Sequence, residues 1–149
     1  MGLQLRNRFP SLIAQTGRQW RRAVDVHLQP FGLTEATWLP LLHVARAPAP
    51  MRQKDLAASL SLDGSSVVRL LDALQIAGLI ERREEAADRR AKTIGLTALG
   101  RSTVERVEAV SNQIRHAALA GLTDEEIATA TRILQQICRS LAQAIGKDT

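Results

Sequence analysis

Residues 62–100, LDGSSVVRLLDALQIAGLIERREEAADRRAKTIGLTALG, leave this chain few folds to choose from. Val67, Leu70, Leu71 and Leu74 recur at helical spacing, so an amphipathic helix is expected over about 64–77. Gly78 suits the left-handed residue that ends a helix, and Leu79 just after it can fold back on the last turn. Residues 80–83 and 93–96 then read as two short strands, with a polar loop over 84–92 that is too long for a tight turn and holds adjacent arginines. A helix that feeds a basic hairpin can read a duplex.

The rest of the chain reads as helices around that unit. Four times a Leu precedes a side chain able to cap a helix: Leu33 before Thr34, Leu62 before Asp63, Leu96 before Thr97 and Leu122 before Thr123. Trp38, Val67 and Ile127 stand where they can staple three of those starts, whereas Arg101 occupies that place after Leu96. A first helix is expected to begin at Pro10 and to end at Pro30 and Gly32, with Ile13, Thr16, Trp20, Val24 and Leu28 on one stripe. Thr34 starts a second helix that Pro48 and Pro50 terminate, followed by a tight connector. A third helix over 52–60, with Leu56, Ala57 and Leu60 inward, meets the fourth through a turn at Ser61 and Leu62. Helix, short turn, helix is the expected pattern.

A fifth helix over 97–120 carries Val104, Val107, Ser111, Ile114 and Ala118 on one stripe, and Gly121 breaks it. Thr123 and Glu126 form a capping box for a sixth, whose Ile127, Ala130, Leu134, Ile137, Leu141 and Ala144 alternate by three and four and call for a partner helix. The expected fold class is mainly α with a small β-hairpin wing. With 149 residues, 45% hydrophobic and only 3% aromatic, the chain has room for one helical domain.

On the fourth helix Ser65, Arg69, Asp72 and Ile76 fall opposite the core stripe. Ser65, Ser66 and Arg69, nearest its start, are candidates to meet base edges and phosphates in a major groove, with Asp72 and Ile76 farther out. The plain alternative is a solvated face. Arg89, Arg90 and Lys92 in the hairpin loop are candidates for a minor groove. Asp88 beside them can fix Arg90 or bond loop amides, or form an exposed ion pair with no consequence.

These residues resemble the MarR-type winged helix-turn-helix transcription regulators. Their wing signature, Asp-x-Arg, a small residue, a basic residue, then Leu-Thr-x-x-Gly, has its counterpart from Asp88 through Leu96 and Thr97 to Gly100. Gly78, Leu79, Ile80, Glu81 and Arg82 are similar to the family's passage from helix to wing, and residues 53–60 to the first helix of its motif. Within the family the chain most resembles the SlyA branch, through Trp20, Arg21 and Arg22, Leu33 and Thr34 with Trp38, and Val68 with Arg69. The likeness spans about residues 10–145.

The resemblance implies a single domain over 1–149, with dimerisation helices at 10–30 and 98–146 and a winged helix-turn-helix lobe at 34–97. It implies a homodimer whose two lobes bind successive major grooves of a near-palindromic double-stranded operator. Arg69 is then a major-groove residue, Arg90 a minor-groove residue with Arg89 beside it, and Gln53 and Lys54 backbone contacts; Arg82 and Lys92 join them as basic contacts. Family members commonly bind small aromatic carboxylates between the dimer arms and the lobes. Arg18, Arg21 and Trp38, with His43 on the same helix as Trp38, are the candidates for such a ligand. Equally, both tryptophans are core and the arginines solvated or at the dimer interface.

Charge partly opposes a simple reading. The chain carries +5 overall. Residues 52–92 hold eight basic and seven acidic side chains, a net of +1, whereas residues 1–51 hold six and two, a net of +4. DNA affinity must come from where Arg69, Arg82, Arg89, Arg90 and Lys92 stand rather than from bulk charge.

Other chemistry finds no constellation. His27, His43 and His116 are far apart with no ligand pair at helical spacing, so no metal or cofactor is expected. Cys138, the single cysteine, is expected to be a small buried side chain, and no cysteine lies near the first helix where peroxide-sensing relatives carry theirs. No nucleophile, base and orienting group form a set, so no enzyme is expected. No apolar run is long enough to span a membrane and residues 1–9 contain no signal core, which implies a cytoplasmic protein. The expected function is a dimeric transcription regulator, a repressor relieved by a small aromatic or anionic ligand. The alternatives are a ligand-independent activator or a winged-helix module for protein contact.

Overall fold

The computed structural model describes residues 1–85 and 87–146, without the side chains of residues 88–90. The chain divides into two compact units, residues 1–114 and 115–149.

The first unit opens with α1 (Gly2–Leu28), a 3-10 turn (Gln29–Phe31) and α2 (Glu35–Arg46). After β1 (Met51–Arg52) come α3 (Gln53–Leu60) and α4 (Gly64–Ile76), then the strands β2 (Ile80–Glu85) and β3 (Asp88–Leu96), and finally α5 (Ala98–Leu119), which runs on into the second unit. The expected fold class holds, and so do the positions of the helix starts after the first.

Local chemistry explains those starts and stops. Gly78 takes φ +74, and the amides of Gly78 and Leu79 return to the carbonyls of Gln75 and Leu74, which closes α4 in a left-handed cap. Thr34 stands at the start of α2 with extended backbone, but its side chain caps no amide there. Trp38 donates from Nε1 to Asp25 Oδ1 at 3.2 Å and ties α2 to α1.

Two apolar clusters fill this unit. Leu41, Leu56, Val67, Leu71, Leu74, Leu79, Ile80, Ile94 and Val104 lie under the helix-turn-helix and the sheet. Val24, Leu28, Trp38, Leu42, Val107 and Val110 join α1, α2 and α5. Helices α2 and α5 contribute to both, so the lobe and its support share two rigid elements.

The structure corrects four expectations. The first helix does not begin at Pro10 but runs through it from Gly2. Leu5, Phe9, Ile13 and Thr16 keep helical spacing across the proline, and the one backbone bond lost there does not end the helix. The connector before α3 contains β1, which pairs Met51 with Ile94 and Arg52 with Thr93. The sheet is therefore three-stranded and antiparallel, in the order β1-β3-β2.

Much of the expected loop over 84–92 is strand. The pairing of β2 with β3 extends outward from Ile80 and Leu96, through Arg82 and Ile94, to Glu84 and Lys92, with a register shift between Glu84 and Glu85. A ribbon with both faces in solvent carries no apolar alternation, so charged residues there mimic a loop. Cys138, finally, is exposed. The second unit explains why: α6 (Asp124–Gly146) buries none of its residues within the chain, so the seam beside Cys138 lies open.

In that unit Thr123 and Glu126 form the expected box. The Glu126 amide donates to Thr123 Oγ1 at 3.1 Å, and the Thr123 amide to Glu126 Oε2 at 2.9 Å.

Candidate nucleic-acid interface

The turn between α3 and α4 sets up the reading surface. Ser61 adopts φ 55, and its amide and that of Leu62 return to Ala58 and Ala57. Asp63 then caps α4: its Oδ1 accepts the Ser66 amide at 2.7 Å and the Ser65 hydroxyl at 2.9 Å. The Ser66 amide, followed by the hydroxyls, holds the Asp63 carboxyl below the usual carboxylate range. Because the Ser65 hydroxyl proton points at Asp63, its oxygen presents only lone pairs outward.

Along α4, Ser65, Arg69, Asp72 and Ile76 are exposed while Val67, Leu71 and Leu74 are buried. Ser66 is half-buried. The first residues of α4 open onto a depression of about 720 Å³ whose walls include Gln53 and Lys54 of α3, Gly64 of α4, and Ala91 and Lys92 of β3. Three candidates from distant stretches, Gln53, Lys54 and Lys92, thus meet beside the N-terminus of α4.

Acidic neighbours sort the cations into two groups. Asp72 of α4 pairs with Arg82 of β2, Glu81 with Arg83, and Glu85 with Arg52, the last through bonds of 3.1 and 2.7 Å. Among the described residues no ion pair is formed by Lys54, Arg69 or Lys92. Arg82, a candidate to contact DNA, keeps only 16% of its side chain exposed and is held by Asp72. Asp72 does lie outward as expected, but toward the wing. The backbones of Arg89 and Arg90 belong to β3, and their side chains and that of Asp88 lie outside the described residues.

The corner where β3 enters α5 carries a device that sequence spacing marks but does not explain. The Thr97 hydroxyl donates to the Gly78 carbonyl at 2.6 Å and accepts the Gly100 amide at 3.0 Å, and the Thr97 amide donates to the Leu79 carbonyl at 3.2 Å. A Cβ on Gly100 would stand 2.0 Å from that same Leu79 oxygen. The Leu-Thr-x-x-Gly run is therefore the joint that seats the wing against the last turn of α4.

The ligand candidates are dispersed. Arg18 and Arg21 are exposed on α1, while Trp38 is a core side chain with its indole committed to Asp25. His43 hydrogen-bonds Ser59 through Nδ1. Burial, then the charges of Arg21 and Arg46, lowers the His43 pKa from its ordinary value. Sequence reasoning missed an aromatic–arginine contact, Arg106 over the Phe31 ring at 4.2 Å, because its partners lie 75 positions apart. Among the described residues no group of His, Cys, Asp or Glu is placed to hold a metal, and no helix is long and apolar enough to cross a membrane.

A MarR family model matches residues 31–91, the span from the second helix into the wing. Over nearly its whole length the chain is also similar to the transcriptional regulator PA3341: 38% identity, covering 91% of this chain and 98% of that one, with a TM-score of 0.85. The chain belongs to the MarR family. It is a winged-helix, DNA-binding transcription regulator by that membership. The MarR fold is shared with MepR of S. aureus, solved as a DNA complex, at 27% identity over 89% of this chain and 97% of that one, TM-score 0.77. CouR from Rhodococcus jostii RHA1, solved with p-coumaroyl-CoA, matches at 28% identity over 89% and 93% of the two chains, TM-score 0.77. These MarR-type relatives are regulators rather than enzymes.

Proposed function

We propose that this regulator acts as a homodimeric repressor that binds a near-palindromic operator and is released by a small aromatic or anionic ligand. The observation that carries the reading is the exposure of Ser65 and Arg69 on α4, whose first residue, Gly64, lines a depression together with Gln53, Lys54 and Lys92. Arg69 and Ser65, with Ser66 beside them, read base edges, and Gln53, Lys54 and Lys92 hold the backbone. Arg90, flanked by Arg89, enters the adjacent minor groove.

Dimerisation is supported by apolar surface on both arms. Leu134, Leu141 and Ile145 are exposed on α6, and Leu3, Leu5, Phe9 and Leu12 on α1. In this reading the dimerisation helices are residues 10–30, with α1 extending the first back to Gly2, and 98–146, flanking the winged lobe at 34–97. CouR's p-coumaroyl-CoA supports an aromatic effector, with Arg21 supplying positive charge near His43 and Arg18 exposed on the same helix as Arg21. Such a ligand acts by altering the separation of the two lobes, whose reading helices must reach grooves ~34 Å apart. The protein works in the cytoplasm, where its operator is.

Selection from a pool of random duplexes by the purified protein tests the reading. Enrichment of one sequence with two half-sites about a helical turn apart is the expected result. A pool that stays random after repeated rounds would refute it.

A further inference from the structure

A DNA-reading segment, residues 52–92, with seven acidic side chains among eight basic ones is unusual, because each acid repels the phosphates the bases attract. Five of the seven have internal partners. Asp55 and Asp63 accept backbone amides at helix starts, and Asp72, Glu81 and Glu85 hold Arg82, Arg83 and Arg52. We propose that Arg82 acts on DNA only through the wing: with Asp72 it sets the angle between β2 and α4, as a positioning residue and not a phosphate contact. The inference rests on the DNA-reading function proposed above.

Geometry distinguishes the two roles. Arg82 stands opposite Ile94 in the sheet register, and opposed residues share a face. Ile94 is buried in the lobe's core, so the Arg82 stem leaves the sheet on the core side, toward α4. Its Nε is buried and has no hydrogen-bond partner among the described residues, and its Nη2 donates to Asp72. A guanidinium with its Nε buried and its Nη2 on a carboxylate cannot offer that edge to a phosphate.

Asp72 lies seven residues, or about two turns, beyond Ser65 on the outward face of α4. The pair therefore links the reading face directly to the wing. A second brace holds the far end of the same strand: Glu85, at the register shift, takes both Nε and Nη2 of Arg52, next to the start of α3. β2 is thus tied to α4 through Arg82 and, at its far end, to the β1 residue that precedes α3. A wing oriented before contact loses less freedom on binding.

The test uses the full chain as wild type, Asp72→Asn, Arg82→Gln and the double variant. Each is titrated with the duplex recovered by selection, over about 50 to 200 mM salt. Positioning predicts that each single variant binds about fivefold more weakly, the upper range for a half-exposed pair. The double variant is then no weaker than either single, and all four salt slopes are parallel. A phosphate contact predicts the opposite for Asp72→Asn, tighter binding from a released cation, and a slope smaller by about 0.9 for Arg82→Gln. Either result overturns the proposal.

Amide exchange without DNA gives a second reading. Protection of β2 and β3 amides should fall alike in both single variants, and unchanged protection overturns the brace. This arm stands apart from DNA binding. A wild type that selects no duplex would refute the DNA-reading function while the exchange data still judged the brace.

Discussion

Replacing Gly100 by Ala puts a methyl group into the joint between wing and support. The new Cβ would stand 2.0 Å from the Leu79 carbonyl oxygen, 3.1 Å from its carbon and 3.4 Å from Leu96 Cδ2. Since real contacts of this kind stay above about 3 Å, β2 and α5 must separate by roughly an ångström. The atom to be displaced is backbone and accepts the Thr97 amide, so no rotamer change relieves the clash. Overpacking costs about 1–3 kcal/mol, and separation also weakens the Thr97 bonds to Gly78 and Leu79, at about 1 kcal/mol each. Ala in place of Gly within a helix returns about 1 kcal/mol, which leaves a net loss of about 2–4 kcal/mol. Urea unfolding at one fixed protein concentration measures it, with a midpoint expected to drop by about 1–2 M at a slope of about 2 kcal/mol/M. Gly64→Ala, where an added Cβ meets nothing within 4 Å, is the control. A Gly100→Ala protein within about 1 kcal/mol of that control would refute the argument.

Arg69→Ala should cost about 1–3 kcal/mol of operator affinity and relax selection at one base pair, whereas Lys54→Ala should weaken all duplexes alike and lower the salt slope by about 1; titration against operator and scrambled duplex compares them, and identical behaviour contradicts the division of tasks. His43 carries a folded-state pKa below its ordinary value, chiefly from burial, so the unfolded chain takes up this proton first as pH falls. Its contribution is complete above about pH 6.5 and is lost progressively below, and His43→Gln should flatten the decline in urea midpoint from pH 7 to 5; a variant as pH-sensitive as wild type counts against it. Leu134→Glu, on the open seam of α6, should shift the sedimenting species toward monomer at micromolar concentration, and an unaltered dimer would remove that seam from the interface.

Much of the lobe was legible because its signals are local. Asp63 two residues before Ser65, Gly78 after a helical stripe, and Thr123 three before Glu126 each act within one turn, and each makes the bonds its spacing implies. What escaped depends on partners distant in the chain. Arg82 looks like any exposed wing cation until β3 places Ile94 opposite it and α4 brings Asp72 to its head. β1 comprises two residues, and only Ile94 and Thr93 across the sheet make it a strand. Pro10 misled for the converse reason: a strong local signal was outweighed by helix on both sides of it. Trp38, a candidate ligand contact by residue type, became core once Val24, Leu28 and Val107 surrounded it.

The order β1-β3-β2 leaves two rims on the sheet. A free rim is a template on which a stray chain can add a strand, and a regulator spends its life beside identical copies of itself. One rim is the two residues of β1, continued by the outer part of β3, whose sequence before Thr93 is Asp-Arg-Arg-Ala-Lys. The other is β2, whose sequence after Ile80 is Glu-Arg-Arg-Glu-Glu, so an arriving copy would meet its own charges with no apolar pairing in return. The acids that nearly neutralise the reading head thus also keep wing from sticking to wing.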